Sequence, residues 1–219
     1  MTDFTAERET MVERQLRRRG ISEPAILDAF RSVARDAFVG AHVAHLAYAD
    51  QPLPIEAGQT ISQPYIVALM IQAAAIKPGD KVLEVGSGSG YAAAVISRIA
   101  GRVIGIERQP ELVAVARERL ARLGFANVEI VAGDGTKGWT EEAPYDAILA
   151  AASGSHVPKS LLDQLAPGGR LVMPVGEPGW VQKLVKVIKR DDGSLQQSDL
   201  GEVRFVPLIG EEGWNDARH

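Results

Sequence analysis

The segment VLEVGSGSGYAAAV, Val82 to Val95, carries the densest chemistry in this chain, and Glu107 completes it at the end of the next apolar run. A short hydrophobic stretch leads into Gly86, Gly88 and Gly90, with Ser87 between the first two, and a helical pattern follows at once. Glycine accepts positive φ and leaves no Cβ in a ligand's way. A loop that closes a strand and opens a helix in this manner is where nucleotides sit in doubly wound α/β sheets. Glu107 comes about 20 residues later, at the tip of a second strand, VIGIE, where a carboxylate accepts hydrogen bonds from both ribose hydroxyls.

The details discriminate between nucleoside ligands. The dinucleotide pattern is G-x-G-x-x-G/A, and Tyr91 stands at its last position. That side chain is too large for the close helix–strand packing a glycine allows. Glu84, two residues ahead of Gly86, faces the loop and repels a pyrophosphate. It suits a cation, such as the amino group and sulfonium of S-adenosyl-L-methionine. The E-x-G-x-G-x-G arrangement therefore favours that cofactor over NAD. The competing readings are a strand-to-helix turn without a ligand, and a surface carboxylate at Glu107. Asp134, between Gly133 and Gly135, reads as an Asp-Gly turn by itself and as a ligand contact by its place after the third strand.

Composition sets the bounds. A chain of 219 residues fits one domain, or one plus an extension. A formal net charge of −4 gives no global basic field toward nucleic acid or anionic lipid. The lack of cysteine excludes disulfides, thiolate zinc sites and cysteine nucleophiles, and is compatible with a reducing cytoplasm. No apolar run reaches membrane-spanning length. The start, MTDFTAERET, is polar and acidic and does not read as a signal peptide. His42 and His45 lack further ligands at metal-site spacing, so no metal is expected. The basic run RQLRRRG reads as a solvated helix end.

The pattern predicts the elements that must position these residues. Thr5 to Arg19 reads as a helix, and Ser22 to Phe30 as a second, with Ser22 as N-cap and Pro24 in the first turn. Ala47 to Thr60 reads as irregular, and a helix follows from Gln63 or Pro64. From Lys81 strands and helices alternate: KVLEVG, helix Tyr91 to Ala100, RVIGIE, helix Pro110 to Leu123, NVEIVAG, YDAILAA, a helix near Pro158 to Leu165, and PGGRLVMPVG. Short alternation of this kind means a parallel sheet covered on both faces. WVQKLVKVIKR and GEVRFVPLIG, joined around Asp191 to Ser194, read as a final antiparallel pair. The expected fold is α/β: a Rossmann-like class I S-adenosylmethionine-dependent methyltransferase fold with a mostly parallel seven-stranded sheet. The chain is read as one domain, 1–219, with a helical, substrate-side extension at 1–75 and a cofactor-binding core at 76–219.

RQLRRRGISEPAILDAF, AYADQPLPIEAGQTISQPYIVALM, VLEVGSGSGY, GDGTKGW, PYDAILAA, LAPGGRLVMPVG and RFVPL together resemble the protein-L-isoaspartate O-methyltransferases over nearly the whole chain. GQTISQPYIVA, just ahead of the cofactor strand, is the most specific of these. The resemblance implies that Ser62 is the active-site serine and that Thr60, Ile61 and Ser62 border both cofactor and substrate. Glu84 and the loop Gly86, Ser87, Gly88 and Gly90 would hold the methionine end, Glu107 the ribose, and Asp134 with Gly135 the adenine edge. Ile61, Ser62 and Ile209 would touch substrate. The chain departs from the family's common pattern at Glu84 (Asp in some members), in AAASGSHVP with Ser153 and Gly154, and at Ile209, where the family often has threonine.

The implied substrate is an isoaspartyl residue in a damaged protein or peptide, whose free α-carboxylate is ionised at neutral pH. It needs no general base, so catalysis would rest on proximity, alignment and partial desolvation. The methyl ester would cyclise to a succinimide and reopen partly to aspartate. Ser62 would then be a positioning hydroxyl, or a cap for the helix that follows, or both. S-adenosyl-L-homocysteine would be the second product; composition points to a cytoplasmic protein without nucleic-acid or membrane partners, and the family analogy implies a monomer. Three other readings stand beside this one: a methyltransferase with another substrate, a catalytically silent cofactor-binding module, and a NAD-dependent oxidoreductase. DAILAAAS lacks the D/N-P-P-Y/F of amino-methylating nucleic-acid enzymes, and Glu84 with Tyr91 opposes NAD.

Overall fold

A computed structural model describes residues 3–216, so residues 1–2 and 217–219 of the expected 1–219 domain, including Met1 and Thr2 of the polar start, lie outside the described residues. The first helical run does cover Thr5 to Arg19, but its winding changes. Helix α1 (Thr5–Met11) passes into a π-helical turn at Val12–Leu16 and a 3₁₀ turn at Arg17–Arg19, ended by left-handed Gly20. The reading of Ser22 as N-cap is corrected: α2 (Pro24–Ser32) is capped at Glu23, and the Ser22 N–H donates to Gln72 Oε1 at 2.9 Å instead. The irregular stretch contains a minimal hairpin, β1 (Leu53–Pro54) against β2 (Thr60–Ile61). Helix α3 (Pro64–Ala74) starts as expected, with proline at N1, where its missing N–H costs nothing.

The core follows the predicted alternation: β3 (Lys81–Val85), α4 (Tyr91–Ser97), β4 (Arg102–Glu107), α5 (Pro110–Arg122), β5 (Val128–Ala132), β6 (Tyr145–Ala150), α6 (Lys159–Asp163), β7 (Leu165–Val175), β8 (Gln182–Lys189) and β9 (Leu195–Val203). Helix α4 ends three residues early, in turns such as Ile99 N–H to Ile96 carbonyl. The second C-terminal strand is also corrected. It is Leu195–Val203, and Arg204 to Gly210 leaves the sheet, with single bridges from Pro207 to Ser153 and from Ile209 to Trp214. Pro207 has no N–H to give a ladder, which favours a strand ending before it.

The seven strands lie in the order β5-β4-β3-β6-β7-β8-β9, parallel through β7 and antiparallel on both sides of β8. The chain reverses direction across the sheet between β3 and β6. The crevice beyond the carboxyl ends of such neighbours is the ligand position in open α/β sheets. Successive side chains of a strand face opposite ways. Val82, Val103, Ala147 and Val172 pack under the N-terminal helices and α3, α4 and α5. Leu83, Ile104, Ile148 and Met173 pack under α6 and Trp139. The N-terminal third thus shares one core with the sheet.

Candidate functional site

The loop after β3 is pinned by its own backbone. The N–H groups of Gly86 and Ser87 donate to the Ile106 carbonyl at 2.9 and 3.3 Å, and the Gly90 N–H donates to the Ser87 carbonyl at 2.8 Å. Gly86 and Gly90 sit at φ +82° and +86°, where a side chain is strained. The close approach that a final glycine would have supplied at position 91 comes from Gly105 on β4, where a Cβ would lie 2.3 Å from Ser87 Oγ. Tyr91 instead turns into the core, edge-on to Phe30 and Phe38 at centroid distances of 6.2 and 5.6 Å. Aromatic edge contacts of this kind contribute about 0.5–1.5 kcal/mol each, and here they bind the cofactor loop to the N-terminal extension.

Two buried carboxylates, Glu107 and Glu84, face the crevice. Glu107 is buried; its Oε2 accepts from the Gly88 N–H at 3.0 Å and its Oε1 from the Gln109 N–H at 2.9 Å. Each oxygen keeps a lone pair for a further donor. Glu84 is buried on β3, and its Oε2 has no hydrogen-bond partner among the described residues. Burial above all, with the Glu107 charge adding to it and Ser87 opposing it, pushes Glu84 from an ordinary 4.5 up to about 8. A buried carboxylate without a partner is costly, and a cationic ligand relieves it.

These groups line a cavity of about 530 Å³. The glycine loop, Glu84, Glu107 and Gly135 form one side, Gly58 to Ser62 a second, and Phe205 to Ile209 a third. An adjoining groove of about 880 Å³ is more open and is lined by Pro52, Gln63, Ile66, Pro178, Val181 and Arg204 among others. Thr60, Ser62, Ala151, Phe205, Val206 and Pro207 belong to both walls. The donor set fits a nucleoside that carries positive charge: the carboxylates of Glu84, Glu107 and Asp216, a glycine loop, and a single cationic side chain, Arg108, which is paired with Asp216.

The structure brings Thr60, Ile61, Ser62, Glu84, Gly86, Ser87, Gly88, Glu107 and Gly135 to the cavity, and Gly90 to the turn behind it. Ser62 does not cap α3; Gln63 holds that position, and the Ser62 carbonyl accepts from Arg35 at 2.9 Å. Asp134 does not line the cavity. Its Oδ1 accepts from the Thr136 N–H and hydroxyl at 2.9 and 2.7 Å, and its Oδ2 from the Glu211 N–H at 2.8 Å. Burial raises its carboxyl, but these bonds outweigh burial and hold it below its ordinary range. Ile209 lines the cavity and not the groove.

Ser153 is fully buried and stitches the last segment down: its N–H donates to the Val206 carbonyl, and its carbonyl accepts from the Leu208 N–H, both at 2.8 Å. A Cβ at Gly154 would lie 2.6 Å from the His156 carbonyl oxygen, so the small residues of this loop are packing requirements. Among the described residues no group of three or more His, Cys, Asp or Glu could hold a metal ion. Sequence reasoning missed Arg35, Gly105 and the wall from Phe205 to Leu208. Pro207, inside an apolar run read as strand, was the available signal for the last.

The model for the protein-L-isoaspartate(D-aspartate) O-methyltransferase family matches residues 6–213. A protein-L-isoaspartate O-methyltransferase 2 of Pelobacter propionicus is 54% identical over 94% of this chain and 92% of its own. A solved protein-L-isoaspartate O-methyltransferase superposes with a TM-score of 0.86 at 31% identity, over 94% of this chain and 67% of its own. A Plasmodium falciparum relative, solved in complex with S-adenosyl-L-homocysteine, gives 0.80 at 29% identity over 92% and 98%. The chain belongs to the protein-L-isoaspartate(D-aspartate) O-methyltransferase family.

Proposed function

We propose that Ser62, at the wall shared by the cavity and the open groove, positions the free α-carboxylate of an L-isoaspartyl residue for methyl transfer from S-adenosyl-L-methionine. The chain is a protein repair methyltransferase, and S-adenosyl-L-methionine is its cofactor. When bound, the cofactor supplies a sulfonium methyl that the carboxylate oxygen takes by in-line displacement, the C–S electron pair staying on sulfur and no proton moving. Glu84 offers its buried carboxylate to the cationic end, and Glu107 its free lone pairs to the ribose. Gly135 borders the adenine side, with Asp134 holding the turn that presents it. Thr60, Ile61 and the segment Phe205 to Ile209 exclude water, which strengthens alignment and desolvation as the sources of rate. The ester leaves by the groove, cyclises to the succinimide and reopens partly to aspartate.

What carries this reading is the junction at Ser62. Its hydroxyl makes no hydrogen bond among the described residues, and so is available to a carboxylate. The groove carries one cationic and one anionic side chain, Arg204 and Glu202. The working unit is one domain, 1–219, acting as a cytoplasmic monomer whose groove admits varied polypeptides, without nucleic-acid or membrane partners. No helix of the described residues is long and apolar enough to cross a membrane. The test is methyl transfer to an isoaspartyl hexapeptide with the aspartyl peptide as control. In Ser62→Ala, kcat should fall about 10²-fold, the cost of lost alignment, with the dissociation constant for S-adenosyl-L-homocysteine nearly unchanged. Cofactor affinity falling as far as turnover would remove the role given to Ser62.

A further inference from the structure

Arg35 is the largest fully buried side chain of the protein. It sits in a 3₁₀ turn, Arg35–Phe38, remote in sequence from every cofactor motif. No carboxylate is paired with it among the described residues. Its guanidinium is solvated instead by three backbone carbonyls, two from the stretch 47–51 and one from Ser62. Nη1 donates to the Ala47 carbonyl, and Nη2 to the carbonyls of Gln51, at 3.4 Å, and Ser62, at 2.9 Å. Nε has no partner, and the group lies 5.7 Å from the centroid of Tyr91, a residue of the cavity wall.

A buried charge without a counter-ion is expensive, and an apolar side chain of similar volume often serves stability as well or better. The fork of donors does what an apolar residue does not: it fixes several carbonyls at once in a set plane. Of the two carbonyls that Nη2 reaches, the nearer belongs to Ser62. Beyond that residue the chain has one more position, Gln63, before Pro64 commits it to α3. The Ser62 backbone is therefore clamped between a rigid helix start and a buried guanidinium, while its side chain is left at the junction of cavity and groove.

We propose that Arg35 is a positioning residue for methyl transfer, acting through the Ser62 carbonyl to hold the Ser62 hydroxyl where the substrate carboxylate must lie. The inference rests on the role given to Ser62 above. The test is a double-mutant cycle on the full chain with an isoaspartyl hexapeptide, using Arg35→Lys, Ser62→Ala and the pair. Lys keeps the charge but not the fork. Arg35→Gln, which keeps donors and sheds the charge, is the second variant should Lys fail to fold. Calorimetric titration with S-adenosyl-L-homocysteine and a melting curve accompany each protein.

Expected is a fall in kcat of about tenfold or more for Arg35→Lys, with cofactor affinity held, and no further fall when Ser62 is already alanine. A residue that merely stitches loops would lower kcat by the same factor in both backgrounds, and that additive result overturns the proposal while leaving Ser62 in place. An unchanged kcat in Arg35→Lys and Arg35→Gln overturns it as well. An unchanged kcat in Ser62→Ala removes the Ser62 role first, and this proposal with it.

Discussion

Glu84 makes the cofactor site sensitive to pH in a direction that the single residue decides. Unfolded, its carboxyl titrates near 4.5; folded, burial moves it to about 8. Between those values the folded chain retains a proton that the unfolded chain has lost. Its contribution to stability is therefore full below pH 4.5, declines as pH rises toward 8, and is flat above. The ammonium group that S-adenosyl-L-methionine and S-adenosyl-L-homocysteine share reverses the preference by favouring the carboxylate. Binding of S-adenosyl-L-homocysteine below pH 8 should release a proton, and its affinity should rise about tenfold per pH unit toward 8. Calorimetry in buffers of different ionisation enthalpy reads the proton directly. Glu84→Gln should abolish that difference between buffers and flatten the profile; an unaltered profile would mean that another group titrates. At this scale the sequence was informative where one side chain has one task. Glu84 and Glu107 could be placed from spacing alone. Asp134 could not, because an Asp-Gly turn uses the same residues whether its carboxylate meets a ligand or, as here, the backbone of Glu211.

The hairpin of β1 and β2 forms the lip of the cavity. Ile55 lies over the glycine loop, its Cδ1 3.3 Å from where a Gly88 Cβ would stand. The hairpin is tied to α5 by Glu56, whose carboxylate takes Arg119 through two bonds of 2.6 and 3.2 Å. The side chains are 27% and 12% exposed, so this pair is less screened than a surface bridge. Arg119→Met should free the lip and speed release of S-adenosyl-L-homocysteine about fivefold, the equivalent of about 1 kcal/mol; an unchanged rate in stopped-flow displacement would assign the gate elsewhere. Elements were legible where one face is buried and period reveals it, as in β3, β4 and α5. Strand β9 was not. LQQSDLGEV is exposed on both faces over most of its length, so nothing apolar marks it, and GEVRFVPLIG, which overlaps its last three residues, carries the more apolar pattern. The change from α to π to 3₁₀ winding in the first helical run leaves the hydrophobic stripe nearly intact and so leaves no trace in sequence.

The cavity is closed by parts that lie far apart along the chain: residues 58–62, the sheet centre, and 205–209. A ligand held by all three should stabilise the molecule as a unit. At a hundredfold excess over its dissociation constant, S-adenosyl-L-homocysteine should add about 2.7 kcal/mol. For a chain of this size that raises Tm by about 5–10 °C, measurable by scanning calorimetry; a shift confined to one of two separate transitions would mean that extension and core unfold independently. The architecture could be read from sequence because alternation of strands and helices permits few topologies. The wall from Phe205 to Leu208 could not, since only the folded sheet brings the chain back from β9 to β6.

The borders of the sheet have a further effect. On one side β9 presents Gln196, Gln197, Ser198 and Asp199 to solvent, and a register shift at Lys183 to Val185 distorts its pairing with β8. On the other, Arg117 Nε donates to the Ile130 carbonyl of β5 at 2.7 Å. Polar residues, irregular pairing and covered carbonyls are the means by which proteins prevent foreign strands from zippering onto an open sheet. Age-damaged, partly unfolded polypeptides are the kind of chain most prone to do so. Blunted at both borders, the sheet offers a foreign strand little edge to pair with, which leaves the groove as the place where a polypeptide can lie.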